Sequence, residues 1–347
     1  MLAPRAVVCC VLAVPVIGCK EEPRPPVGAV SPAPVSPAPP SVPAPREHGR
    51  RKPTDVQIEM KTVRLHVDDG IVLDINRLRG VMVSRTAGKP PVFDDQRSYV
   101  LNISSADMSM DMASLSSLMN AHVFAYDGAP LTDLSVHSAA DGRLEMKGKL
   151  HKGVTVPFSS KASVSSTDDG NMRVHVESMK AVGVPVAGLM DLLGLKLDDL
   201  VSLKNRRGVD VRDDDIVIAP GQVLPPPEIR GRLARVAVDR DRLMLTYAAG
   251  GKVPAPLTLP APTARHYIYF GGGDITFGKL TMSDADLQLI DADPRDAFDF
   301  YPAKYNAQLV AGYSKNTPRL GLKTFMPDFN DLQAGRSTDR AGRQPRR

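Results

Sequence analysis

Apolar residues recur at every second position through much of this chain, and turn residues separate the runs. Val63, Leu65 and Val67 lead through Asp68-Asp69-Gly70 into Ile71, Leu73 and Ile75. The arrangement returns in Leu134 and Val136, then Asp141-Gly142, then Leu144 and Met146. It appears again in Met172, Val174 and Val176 after Asp168-Asp169-Gly170, and in Val236 and Val238 before Leu243 and Leu245. A period of two gives each strand one buried and one wetted face, and Asp-Gly between two such runs closes a hairpin. The spacing predicts an α+β fold that is mainly antiparallel β.

Two stretches carry helical spacing instead. In Asp111 to Phe124, Met112, Leu115, Leu118, Met119 and Val123 share a face, with Asp111 placed as N-cap and the serines turned away. In Val186 to Leu203, Leu189, Leu192, Leu193, Leu197 and Leu200 do the same, with Gly194 as an interruption. Such stripes seal a sheet, or they line a groove between helix and sheet. On the second reading Met112, Leu115, Leu118, Met119, Leu189, Leu192 and Leu193 are the groove candidates.

The N-terminus reads as an address. Arg5 precedes an apolar run from Ala6 to Ile17, well short of the roughly 20 residues that span a bilayer as a helix. Val16-Ile17-Gly18-Cys19 resembles a bacterial lipobox, which implies removal of residues 1–18 and acylation of Cys19; the alternatives are an ordinary signal peptide or a buried helix. No cysteine follows Cys19, so the mature chain has no disulfide, thiol catalyst or cysteine metal cluster. Lys20, in place of Asp, favours an outer membrane by resemblance to lipoprotein sorting rules. From Pro23 to Pro45, ten residues are proline, which predicts a disordered, polyproline-type spacer over the linker 19–53, or less simply a docking ligand. The end, 331–347, holds Arg336, Arg340, Arg343, Arg346 and Arg347 against Asp331 and Asp339 and reads as a disordered basic tail.

The whole chain has 44 Lys+Arg against 39 Asp+Glu, and the excess sits largely in that tail, so the body has no net basic character that would point to nucleic acid. His48, His66, His122, His137, His151, His175 and His266 are scattered without zinc-pair spacing, and no nucleophile elbow or paired catalytic glutamate stands out. The reading is a non-enzyme with no catalytic residue, no metal and no cofactor. Asp284, Asp286, Asp291, Asp293, Asp296 and Asp299 crowd one stretch; it reads as a solvated loop, with a cation site as the sharper alternative. Arg212-Asp-Asp-Asp215 reads as a turn. Eleven of the 17 aromatic residues lie between Tyr267 and Phe329, which predicts a C-terminal segment that packs as its own cluster or caps the sheet. Leu257 to Pro262 reads as a loop, and Tyr267–Phe270, Gly271-Gly-Gly-Asp274 and Ile275–Phe277 as a hairpin.

The stretch from about Ser98 to Tyr247 resembles the LmeA-like phospholipid-binding family, which is related to the tubular lipid-binding (TULIP) fold. The passages that carry the resemblance are Leu144-Glu-Met-Lys-Gly-Lys-Leu150, Val182-Gly-Val-Pro-Val-Ala-Gly-Leu-Met190, Asp215-Ile-Val-Ile-Ala-Pro220 and Leu224-Pro-Pro-Pro-Glu-Ile-Arg-Gly231. It implies a curled sheet wrapping one or two amphipathic helices around a groove for acyl chains. The chain departs from the family after Tyr247. The expected organisation is a signal peptide (1–18), a lipidated linker (19–53), a lipid-binding β-rich domain (54–253), an aromatic-rich segment (254–330) and the tail. The expected function is an envelope lipoprotein, anchored through Cys19 on the periplasmic side of an outer membrane where one exists. It would bind or transfer phospholipid or another acyl lipid. The alternative is a non-enzymatic scaffold that docks a protein partner, and a third, weaker reading is an envelope hydrolase.

Overall fold

The Asp69-Gly70 turn joins β1 (Val56–Asp68) to β2 (Ile71–Ser84), with Asp68 opposite Ile71 and Val56 opposite Met82. A computed structural model describes residues 55–152, 154–182, 208–248 and 257–333. Cys19, the leader, the proline linker, the Leu189, Leu192 and Leu193 stripe and the tail from 334 lie outside the described residues. Alternation places Val56, Ile58, Met60 and Val63 of β1 in the core, with Ile71, Leu73 and Ile75 of β2 beside them. The partner of β2 on its other edge is β3 (Tyr99–Asp111), reached through a loop whose Phe93 is buried.

After β3 the period changes from two to that of a helix. Asp111 accepts from the Ser114 N–H at 2.7 Å and caps α1 (Met112–Leu118), which continues into one π turn, Met119–Val123. The five apolar residues expected on one face are all buried. The serines, expected to face away, point inward. Ser114 Oγ accepts from the Val72 N–H at 3.1 Å, and Ser116 Oγ from the Val136 N–H at 2.8 Å. A short helix wedged between two sheets meets backbone on both sides, and a hydroxyl satisfies backbone donors there that an alkyl group would strand.

The chain then builds a second, wholly antiparallel sheet. It consists of β4 (Leu131–Ser138), β5 (Leu144–Lys152), β6 (Val154–Ser166), β7 (Met172–Ala181), β8 (Val209–Arg212) and β9 (Asp215–Ile218), in the order β4-β5-β6-β7-β9-β8. The Arg212–Asp215 turn closes β8 on β9 as expected. A short helix, α2 (Pro220–Val223), and β10 (Glu228–Arg230) lead back to the first sheet, where β10 runs parallel to β3. The hairpin of β11 (Arg232–Asp239) and β12 (Arg242–Ala248) adds to β3. The sheets join where the Leu233 N–H donates to the Gly170 carbonyl at 3.0 Å.

The aromatic-rich remainder extends the first sheet along the free edge of β1. β13 (Tyr267–Gly271) pairs with β1 and with β16 (Asp286–Asp291). The expected hairpin from Tyr267 to Phe277 does not form: β14 (Asp274–Phe277) pairs with β15 (Leu280–Ser283). Gly272 and Gly273 have φ of +65° and +63°, a left-handed pair that turns the chain out of the sheet. β17 (Phe298–Phe300) then runs parallel to β1. The helix α3 (Tyr305–Ala311), the strands β18 (Tyr313–Asn316) and β19 (Leu322–Met326), and α4 (Phe329–Gln333) complete the body. α4 includes Asp331 to Gln333, so order persists past the start expected for the tail. The first sheet reads β11-β12-β3-β2-β1-β13-β16-β19-β18, and the described residues are mostly antiparallel β with few helices.

One side chain links α1 to an irregularity in β4. The β4–β5 register slips between Thr132 and Ser135, taking Leu134 out of the ladder. Asn120 fills the gap: Oδ1 accepts from the Leu134 N–H at 2.9 Å and Nδ2 donates to its carbonyl at 2.7 Å. Asn120→Ala is expected to lower stability by about 1–3 kcal/mol, the range for stranding buried polar groups. Urea denaturation should show a lower midpoint at unchanged slope, and an unchanged midpoint would show that water replaces the side chain.

Candidate functional site: an apolar cleft between the sheets

The two sheets do not pack flat on one another. Between them lies a cleft walled by β2, β3 and β12 on one side, by α1 and its π turn at one end, and by β7 and β9 opposite. β3 supplies Met108 and Met110; the helix supplies Leu115, Leu118, Met119 and Val123; β12 supplies Leu243, Leu245 and Tyr247. Leu73, Met172 and Ile218 come from β2, β7 and β9, and Pro220, Val223, Leu224 and Ile229 close the remaining side. Among the described residues, Tyr247 is the one in the lining with a polar side-chain group, and burial pushes its hydroxyl up to about 12. The free volume is about 40 Å³. Methionine swings its thioether through three torsions and fills irregular gaps, so Met108, Met110, Met119 and Met172 make this wall adaptable.

Three of the expected groove residues meet here: Leu115, Leu118 and Met119. Met112 is buried in the same core but does not line the cleft. Leu189, Leu192 and Leu193 lie outside the described residues. The signal for Met108 and Met110 was present in the alternation of Asp107-Met-Ser-Met-Asp111. Val223, Leu224 and Ile229 sit in a proline-rich passage with no periodicity to read.

A second concentration of chemistry lies in the C-terminal part. The acidic stretch is not a solvated loop: Asp286, Asp291 and Asp299 are buried, in β16 and β17. Asp286 accepts from the Tyr269 hydroxyl at 2.9 Å, the Thr317 hydroxyl at 2.8 Å and Arg319 Nη2 at 2.9 Å. Asp299 Oδ1 lies 2.5 Å from His66 Nε2, and the His66 ring stacks on Tyr301 at 5.3 Å between centroids. Asp293, on the exposed turn, pairs with Arg295. The carboxylates are thus divided among separate partners, and among the described residues no group of three His, Cys, Asp or Glu side chains is placed to hold a metal ion. Among the described residues no helix is long and apolar enough to cross a membrane.

Two carboxyls of this region are pushed well above the ordinary carboxylate range. Burial, then the nearby Asp291 charge, pushes Asp328 up to about 8; burial pushes Asp291 up to about 7, and burial also lowers neighbouring His266. Such a group keeps its proton in the folded chain and releases it near 3.8 when unfolded. Its contribution to stability is therefore complete below that value and lost as pH rises through 7 and 8. The carboxylates lowered by exposed ion pairs, such as Asp293, act in the opposite sense and only under more acidic conditions. The melting temperature is expected to fall between about pH 4 and pH 8, and Asp328→Asn to flatten that fall. An equal slope in the variant would place the dependence elsewhere.

No family model, no curated protein and no solved structure matches the chain.

Proposed function

We propose that the body binds the acyl portion of a lipid in the cleft between its sheets, and that Cys19 anchors it to the membrane supplying that lipid. The observation that carries this reading is the lining: sixteen of the described residues, from two sheets and two helices, converge on one interior space with a single hydroxyl among their side chains. Each buried CH2 stabilises a bound chain by about 0.8 kcal/mol, so apolar walls hold an acyl chain without a charged anchor. The passages that resemble the LmeA-like family also favour it, and a TULIP-like wrapping of sheet around α1 is part of the proposal. In this reading the proline linker tethers a non-catalytic, lipid-handling domain on the periplasmic side of the envelope. With a free volume of about 40 Å³ the cleft is closed on its own side chains, and uptake requires the methionines to repack around the chain.

That same small volume favours a second reading, a non-catalytic envelope scaffold whose interior is filled for stability alone. Native mass spectrometry separates the two. The protein purified without detergent is expected to carry co-purified lipid, and Val223→Trp, on the half-buried wall of the cleft, to reduce uptake about ten-fold, or roughly 1.4 kcal/mol. A clean apo mass with no uptake of added phospholipid would leave the scaffold. The anchor is tested separately. Cys19→Ala is expected to move the protein out of the membrane fraction with the melting transition of the body unchanged, and retention on the membrane would place the anchor elsewhere.

A further inference from the structure

Beside the apolar cleft lies a pocket of opposite character. Its free volume is about 390 Å³, within the range of about 300–1,000 Å³ of small-molecule sites. One wall is the base of the β2–β3 loop, with Arg85, Gln96 and Arg97; the other is the passage from α2 to β10, with Gln222, Leu224 and Glu228.

The wall between cleft and pocket is one turn of helix. Pro220 and Val223 face the cleft, Gly221 and Gln222 face the pocket, and Leu224 lines both. The partition is tight against β10: a Cβ on Gly221 would stand 1.5 Å from the Ile229 carbonyl oxygen, so only glycine allows this approach. A molecule that crosses at Leu224 therefore passes from a hydrocarbon surface to a polar one within a residue.

The polar side suits a phosphate. A guanidinium presents a planar fork of donors that matches phosphate oxygens, and carboxamides add neutral donors. Arg85 is held in place by Glu228, which Arg230 Nε also grips at 2.8 Å, and these hydrogen bonds keep the Glu228 carboxyl below its ordinary range. Arg97 makes no ion pair among the described residues and is the uncompensated charge of the pocket. Neither neighbouring acid pairs with its guanidinium. Asp94 accepts from the Tyr305 hydroxyl at 2.7 Å and from the Gly278 N–H, and Asp95 accepts from the backbone N–H of Arg97 at 3.0 Å. The loop itself is pinned by Phe93, whose ring lies 4.8 Å from that of Phe277 and 5.2 Å from that of Tyr305.

We propose that this pocket seats the phosphate-bearing headgroup of a lipid whose acyl chain enters the cleft past Leu224. The proposal rests on the acyl-binding reading above and adds to it a place for the headgroup and a residue, Arg97, that selects for its phosphate.

The test uses the acylated full chain anchored in vesicles of digalactosyldiacylglycerol, a phosphate-free bilayer lipid. Two photoreactive probes with the same diazirine-bearing acyl chain are added, one phosphatidylglycerol and one diacylglycerol. Phosphatidylglycerol is expected to label the protein about ten-fold more than diacylglycerol, the effect of a charge-assisted contact. Arg97→Gln should bring its labelling down to the diacylglycerol level and leave the diacylglycerol signal unchanged; Gln222→Ala should do so in part. Equal labelling by the two probes, unaffected by Arg97→Gln, overturns the headgroup site and leaves acyl binding standing. Labelling by neither probe overturns both readings. Calorimetric binding of sn-glycerol 3-phosphate that is lost in Arg97→Gln, without lipid labelling, identifies a site for a soluble phosphate and likewise overturns the headgroup assignment. Arg97 is exposed, so Arg97→Gln is expected to melt with the parent chain.

Discussion

The helix α1 and the π turn that continues it carry three polar side chains that hold the two sheets at a fixed separation. Ser114 reaches β2, Ser116 reaches β4, and Asn120 completes the ladder where β4 skips a residue. Each bond ties the helix to backbone, so α1 can neither rotate nor slide without stranding a buried polar group. The apolar face of the same helix then has only one place to go, the space between the sheets. Cleft and clasp are two sides of one element.

The cleft combines a rigid frame with soft contents. Strands β3 and β12 and the clasped helix fix its outline, while four methionines line it. A pocket filled by branched side chains resists entry because each has few rotamers; one filled by thioethers exchanges internal contacts for contacts with a guest at modest cost. The partition from Pro220 to Ile229 separates hydrocarbon from charge.

Much of the β architecture was legible because alternation and Asp-Gly turns are local signals. The hairpins β1–β2, β4–β5, β6–β7 and β11–β12 follow from them directly. The capped helix after Asp111 is equally local. What escaped was set by distant partners. Tyr267 to Phe277 reads as a hairpin until β1 is seen to take β13 as its neighbour, and period two does not say which strand lies alongside. The acidic stretch reads as solvated because Asp286, Asp291 and Asp299 meet Arg319, His266 and His66 only after folding. Serines expected on the wet side of α1 turned inward because a second sheet, invisible to the helical period, lies there. The polar pocket joins a hairpin loop to a proline passage more than a hundred residues later, and no pattern along the chain relates Arg97 to Gln222.

The position of β1 bears on how this chain reaches its native state. One edge of β1 zips to β2 through a two-residue turn, a fast and local event, while the other waits for Tyr267 to Gly271 and for Phe298 to Phe300. Until that late segment arrives, the strand presents unpaired amides along a largely apolar face, the kind of edge on which chains join one another. The final aromatic residues therefore act as an internal closure for the first strand, and a chain released before Tyr267 lacks it.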